Sequence, residues 1–140
     1  FVEGVGEAMQ PVDAPDCWYV VIEPGVHVPT ASIFTSEYLT RDTPPVIMAD
    51  FSGHYANRND LQGFGKNDLQ QVATRLFPPV AEAVEWLAAY GDARMTGSGA
   101  CVFGAVATAA EADAVLAKVP AKWNAWKAKA LKQHPLTGVL

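Results

Sequence analysis

Cysteine and histidine are scarce in this chain of 140 residues, and their spacing argues against a metal site. The chain has two cysteines, Cys17 and Cys101, and three histidines, His27, His54 and His134. It contains no C-x-x-C pair and no His/Cys cluster, so we predict no metal ligand. Each cysteine lies among apolar residues, far from the other. This predicts buried free thiols and a reducing compartment, the cytoplasm.

Basic charge and long apolar runs are also lacking. Ten Lys and Arg against fifteen Asp and Glu give a net charge of −5 at pH 7, whereas a nucleic-acid-binding domain normally has a basic face. The longest nearly apolar run, residues 101–110, is about half of the ~20 residues that cross a bilayer. We therefore predict no nucleic-acid partner and no membrane insertion. Five lysines near the C-terminus are interpreted as a solvated surface: Lys118, Lys122, Lys127, Lys129 and Lys132.

The first ten residues, FVEGVGEAMQ, contain neither an initiating Met nor the basic and apolar regions of a signal peptide. Their composition favours a β-strand with glycines for close approach. We therefore expect the chain to be the downstream half of a longer protein, with residues 1–10 continuing from a preceding domain.

Strand and helix patterns alternate along the rest of the chain. CWYVVIEP predicts a buried strand that ends at Pro24-Gly25, and Thr30 is predicted to cap a short helix with Phe34 and Tyr38 on one face. Residues 40–65 predict a long irregular connection. Apolar residues at helical spacing then predict one helix from Leu69, Val72, Ala73, Leu76 and Phe77, and a second from Val80, Val84, Leu87 and Ala88.

The C-terminal third predicts a hairpin, a capped helix and one ambiguous segment. ARMTG and ACVFGAVA form a hairpin pattern, and Thr108 with Glu111 forms a capping box for a helix over Ala112, Val115, Leu116 and Val119. WNAWKAKALKQHPL has the composition of a helix but the alternation of an edge strand. The predicted fold is α+β, a ferredoxin-like two-layer sandwich with an antiparallel sheet and helices on one face.

The turn Thr96-Gly97-Ser98-Gly99 is the strongest candidate site, and two interpretations remain open. Its backbone N–H groups form either an anion-binding concavity or a tight turn between two strands. It lacks the Lys and Ser/Thr of a P-loop and the third glycine of a dinucleotide fingerprint. Ser98 has no His partner at a useful spacing. Asn67 or Asp68 is interpreted as a helix cap, and Trp123 and Trp126 as packing residues.

Several fragments, in this order and spacing, resemble the C-terminal half of the 4-diphosphocytidyl-2-C-methyl-D-erythritol kinases, a family of the GHMP kinase superfamily. They are FVEGVGE, WYVVIEPGVHVPTASIF, LTRDTPP, NDLQ, RMTGSGACVFG and the terminal HPL. The resemblance implies an enzyme that transfers the γ-phosphate of ATP, with Mg²⁺, to a cytidyl small molecule of isoprenoid biosynthesis. It implies that the last segment is a strand, and that residues 94–101 are the third glycine-rich motif. Thr96, Gly97, Ser98, Gly99 and Ala100 would support the phosphate site, and Phe1 would stack on the cytosine ring.

The family's main catalytic parts have no counterpart in this sequence. The ATP-binding Gly-Leu-Gly-Gly-Gly-Ser-Ser run, the lysine and the aspartate thought to activate the acceptor hydroxyl are all absent from it. We therefore predict that the chain holds no catalytic residue, requires an N-terminal kinase domain as partner, and is inactive alone. The alternatives are a stand-alone ferredoxin-like module that binds or senses a small ligand, and an oligomerisation domain that uses an edge strand.

Overall fold

A four-stranded antiparallel sheet with helices on one face organises the chain. The computed structural model describes residues 2–3, 5, 7–9, 16–44 and 65–132. Its strands are β1 (Val2–Glu3), β2 (Ala8–Met9), β3 (Trp18–Glu23), β4 (Ala93–Met95), β5 (Val102–Val106) and β6 (Asn124–Lys129). Its helices are α1 (Thr30–Phe34), α2 (Asp68–Leu76), α3 (Pro78–Ala88) and α4 (Ala109–Leu116).

The sheet has the strand order β4-β5-β3-β6, and every neighbouring pair is antiparallel. In chain order the four strands of this sheet are β3, β4, β5 and β6. In the sheet, β5 lies between β3 and β4. This is the strand order of a ferredoxin-like sandwich, which confirms the predicted α+β fold class. Among the first ten residues, β1 and β2 pair antiparallel with each other instead of forming one continuous strand.

The core lies between the sheet and its helices. Val20 and Ile22 of β3, Met95 of β4 and Val102 of β5 are almost completely buried. α3 packs against β4 and β5, while α4 packs against β3, β5 and β6. On the opposite face, Tyr19 and Phe103 are half-buried and their rings meet edge to face, 5.7 Å apart.

Four details differ from the sequence prediction. Pro29, not Thr30, is the N-cap of α1, and Ile33 is its buried residue. Ala83, not Ala88, belongs to the buried face of α3. Leu76, the last residue of α2, is 42 % exposed although it was predicted on the apolar face of the helix. Residues 124–129 form strand β6, so the helical interpretation of this composition was wrong and the strand implied by the resemblance is confirmed.

The predicted packing tryptophans, and likewise the two cysteines, differ in their burial. Trp123 is buried against α3, where its ring meets that of Trp86, but Trp126 is 44 % exposed on the open face. Cys17 is buried and Cys101 half-buried, and both thiols are free. Among the described residues, no helix is long and apolar enough to cross a bilayer.

Candidate functional site

The candidate loop, Thr96–Ala100, closes the hairpin between β4 and β5. Thr96 N–H donates to the carbonyl of Cys101 at 2.9 Å, and Gly99 N–H donates back to the carbonyl of Thr96 at 3.1 Å. Gly97 and Gly99 have φ values of +55° and +99°. These values lie in a region that L side chains rarely adopt, so the two glycines allow a turn this tight.

The two glycines differ in what surrounds them. A Cβ on Gly99 would lie 3.0 Å from Sδ of Met95 and 3.4 Å from Cγ2 of Val28, two buried side chains. A Cβ on Gly97 would meet no atom within 4 Å. The loop therefore rests on the core at Gly99 and has open space on the Cβ side of Gly97.

The first turn of α2 holds the loop from one side. The side-chain nitrogen of Asn67 donates to the carbonyls of Met95 (2.9 Å) and Gly97 (2.8 Å), and its oxygen accepts from Leu69 N–H (3.0 Å). One turn later, Oε1 of Gln70 accepts from Met95 N–H at 2.8 Å. Asn67 is thus the predicted cap of α2, but it also binds the loop.

α1 holds the loop from another side. The hydroxyls of Thr30 and Ser98 lie 3.0 Å apart, at hydrogen-bonding distance. Thr30 is the first residue of α1, and its hydroxyl contacts the loop. Thr30, the threonine of the Pro-Thr pair in the sequence, therefore contacts Ser98.

Two further side-chain pairs involve residues of α2, Asp68 and Arg75. Nζ of Lys66 lies 2.9 Å from Oδ1 of Asp68, and this hydrogen-bonded ammonium lowers the pKa of the Asp68 carboxyl. The guanidinium of Arg75 lies over the ring of Tyr38, 3.6 Å from its centroid. Asn67 or Asp68 was predicted as the cap of α2; Asn67 is the cap, and the Asp68 carboxylate pairs with Lys66 instead.

Sequence reasoning identified the loop but missed the residues that bind it. Asn67, Gln70 and Thr30 are distant from the loop in sequence, and only the fold brings them to it. The spacing of Asn67 and Gln70 in NDLQ is the signal that was available, because residues three apart lie on one side of a helix. Phe1 lies outside the described residues, so its predicted role remains a prediction. No group of three His, Cys, Asp or Glu side chains within the described part of the chain is placed to hold a metal ion.

A family profile described as "GHMP kinases C terminal" matches residues 52–125, more than half of the chain. The matched range contains the hairpin loop and the helix that binds it. The chain belongs to the GHMP kinase family. Residues 94–101, which the sequence resemblance implies are the family's third glycine-rich motif, lie within the matched range.

Individual GHMP kinases resemble the chain over almost its whole length. It is 62 % identical over 136 residues to "4-diphosphocytidyl-2-C-methyl-D-erythritol kinase" of Janthinobacterium sp. (strain Marseille), covering 97 % of this chain and 45 % of the relative. It is 57 % identical over 136 residues to the protein of the same name from Herminiimonas arsenicoxydans, covering 97 % and 46 %. The chain thus spans about half the length of these curated relatives.

A solved structure gives the same result at the level of the fold. The crystal structure of a 4-(cytidine 5'-diphospho)-2C-methyl-D-erythritol kinase superimposes with a TM-score of 0.74 at 28 % identity. The match covers 90 % of this chain and 47 % of the solved chain. The ferredoxin-like sandwich described above is therefore the fold of a GHMP kinase C-terminal domain.

Proposed function

We propose that the chain is the C-terminal part of an ATP-dependent kinase that phosphorylates a hydroxyl of 4-diphosphocytidyl-2-C-methyl-D-erythritol, a step of isoprenoid biosynthesis. The observation that carries the proposal is the 62 % identity to a kinase of that name over 97 % of the chain. Such identity, over a segment that includes the loop and its supporting helix, favours the same substrate class.

The contribution proposed for this chain is the backbone of its loop. Phosphoryl transfer depends largely on positioning and on stabilising charge at the phosphate oxygens. The N–H groups of Gly97 and Ser98 would bind a phosphate group, which could approach Gly97 closely because this residue has no side chain and a Cβ there would meet no atom within 4 Å. Ser98 adds a hydroxyl that Thr30 holds in place.

The nucleotide and its metal would bind mainly to residues outside this chain. ATP would supply the phosphoryl group, with Mg²⁺ neutralising the phosphate oxygens. In kinases Mg²⁺ is typically held by one or two carboxylates and the phosphates themselves, so no complete protein cage is needed here. We propose that an N-terminal kinase domain supplies these groups and that the enzyme acts in the cytoplasm, in keeping with its two free thiols.

Phe1 remains the proposed contact to the cytosine ring. Stacking of an aromatic side chain on a base is worth about 1–3 kcal/mol, which corresponds to a rise in KM of roughly 5- to 150-fold when the ring is lost. This proposal rests on the sequence resemblance alone.

The test is ADP formation by the complete protein and by the 140-residue chain, each with ATP, Mg²⁺ and the cytidyl substrate. We expect turnover by the complete protein and none by the chain alone. In the same assay, Phe1→Ala should raise KM for the cytidyl substrate, whereas Phe1→Tyr, which keeps an aromatic ring, should change it little.

Each contrary result has its own meaning. A complete protein that phosphorylates another alcohol but not this one contradicts the proposed substrate. Turnover by the 140-residue chain contradicts the proposal that the catalytic groups lie in an N-terminal domain outside this chain. An unchanged KM in Phe1→Ala contradicts the stacking role only.

A further inference from the structure

We propose that Asn67 is a positioning residue of the kinase reaction, because its one side chain both caps α2 and fixes the backbone of the candidate phosphate loop. This inference rests on the proposed function for its catalytic consequence. Its structural part stands on three hydrogen bonds of 2.8–3.0 Å from a single amide.

The chemistry of these three contacts admits only an amide in one orientation. Two partners, the carbonyls of Met95 and Gly97, need donors, whereas the third, Leu69 N–H, needs an acceptor. An amide has two donor hydrogens on nitrogen and an acceptor oxygen, so it satisfies all three at once. A carboxylate at this position serves the helix but not the loop, and a hydroxyl has one donor hydrogen and so can serve at most one of the two carbonyls.

The contact to Gly97 determines where a loop N–H points. The peptide joining Gly97 to Ser98 is planar and trans, so its C=O and its N–H point in opposite directions. With the Gly97 carbonyl bound to Asn67, the Ser98 N–H is directed away from α2. Asn67 therefore sets the direction of a donor in the part of the loop that we propose faces the phosphates.

Gln70 and Thr30 complete the support from two further directions. Gln70 accepts from Met95 N–H, so the peptide groups on both sides of Met95 are bound to the first turn of α2. Thr30 contacts the Ser98 hydroxyl from α1. Asn67 differs from both because a single side chain binds two carbonyls of the hairpin and also caps the start of α2.

Asn67→Asp separates the two roles of Asn67. Aspartate still caps a helix through its oxygen, but it offers no donor and places a charged oxygen against two carbonyls. Thr108→Ala is the matched control, because it removes the N-cap of a different helix, α4, which packs against β3, β5 and β6. Gln70→Glu and Gln70→Met form a second pair, in which only glutamate keeps the acceptor for Met95 N–H.

The experiment measures kcat, KM for both substrates, Tm and amide hydrogen exchange of residues 95–101 in the complete protein. In Asn67→Asp we expect faster exchange of the loop and a fall in kcat of about tenfold or more, since small displacements of positioning groups cost that much, while both KM values change little. Thr108→Ala should lower Tm without either change. Gln70→Met should follow Asn67→Asp, and Gln70→Glu should resemble the unsubstituted protein.

The outcomes distinguish this inference from the proposed function. Unchanged loop exchange in Asn67→Asp overturns the positioning role, and so does an equal loss of kcat in Thr108→Ala at the same loss of Tm. A complete protein without kinase activity contradicts the proposed function, and the exchange data then still decide whether Asn67 fixes the loop. If Asn67→Asp does not fold, Asn67→Ser decides in its place, because serine keeps a capping oxygen without the charge and has at most one donor for the two carbonyls.

Discussion

The thiol of Cys101 lies beside the candidate loop, at the residue just before β5. Burial raises its pKa, and the negative charge of Glu23 at the end of the adjacent strand β3 raises it further. A raised folded-state pKa means that the native protein favours the protonated thiol. The resulting stability is fully present below the unfolded pKa of about 8.5 and is lost as pH rises through the folded value.

The first prediction concerns alkylation at this residue. Because the thiolate is the nucleophile, iodoacetamide at pH 8.5 should modify Cys101 several-fold more slowly in the native chain than in the urea-unfolded chain. Glu23→Gln removes the nearby charge and should speed native modification slightly. Peptide mass spectrometry measures both rates. Equal rates in the native and unfolded chains would show that the native fold does not protect the thiol.

At the scale of the element, helix α4 depends on its N-terminal cap. The Thr108 hydroxyl accepts from Glu111 N–H at 3.1 Å, as the capping-box pattern predicts. The Glu111 carboxylate accepts from Ala107 N–H, one residue earlier than in the usual box. Two donors at the helix start are therefore satisfied by side chains.

Thr108→Ala should lower the free energy of unfolding of the chain by about 1 kcal/mol, the usual cost of losing such a cap. Thr108→Ser keeps the oxygen and should cost only a small part of that amount. Urea denaturation of the three proteins measures the difference. Equal losses in both variants would show that the Thr108 methyl group, and not its hydroxyl, stabilises the helix start.

Strand β6 marks the limit of what local sequence predicts. Its Ala and Lys content favours a helix, yet β6 pairs with β3 over six residues, from Asn124 opposite Glu23 to Lys129 opposite Trp18. The alternation was the better signal. Trp126 lies on the open face and Lys127 on the helix face, where Nζ of Lys127 reaches the Asp113 carboxylate at 2.6 Å. Pairing with β3, which is distant in sequence, makes this segment a strand. The amino-acid composition of the segment carries no information about that pairing.

In the candidate site, too, the local feature was predictable from the sequence and the long-range contacts were not. The hairpin turn was predictable because its glycines lie between two apolar runs, a local pattern. The contacts of Asn67 and Gln70 to Met95 join positions 28 and 25 residues apart, respectively, and that of Thr30 to Ser98 joins positions 68 apart. Only the packing of α1 and α2 against the hairpin creates them, so no spacing rule within the loop would have found them.

At the scale of the whole molecule, the helices of the described residues 16–44 and 65–132 cover one face of the sheet. Neighbouring residues of β3 therefore have different surroundings: Val20 is 0 % exposed in the core, whereas Val21 is half-buried on the open face opposite Phe103 and Trp126. The two valines share strand, backbone geometry and side chain. Their comparison isolates the contribution of the helical layer.

Val20→Ala should lower the free energy of unfolding of the chain by about 2–3 kcal/mol, because each buried methylene contributes about 0.8 kcal/mol and the cavity adds to the loss. Val21→Ala loses the same β-propensity but less burial, and should cost about half as much or less. Urea denaturation of the two variants measures both values. Equal losses would contradict a one-sided core in the isolated chain. A larger loss for Val21→Ala in the complete protein than in the chain would mean that other parts of the kinase cover the open face.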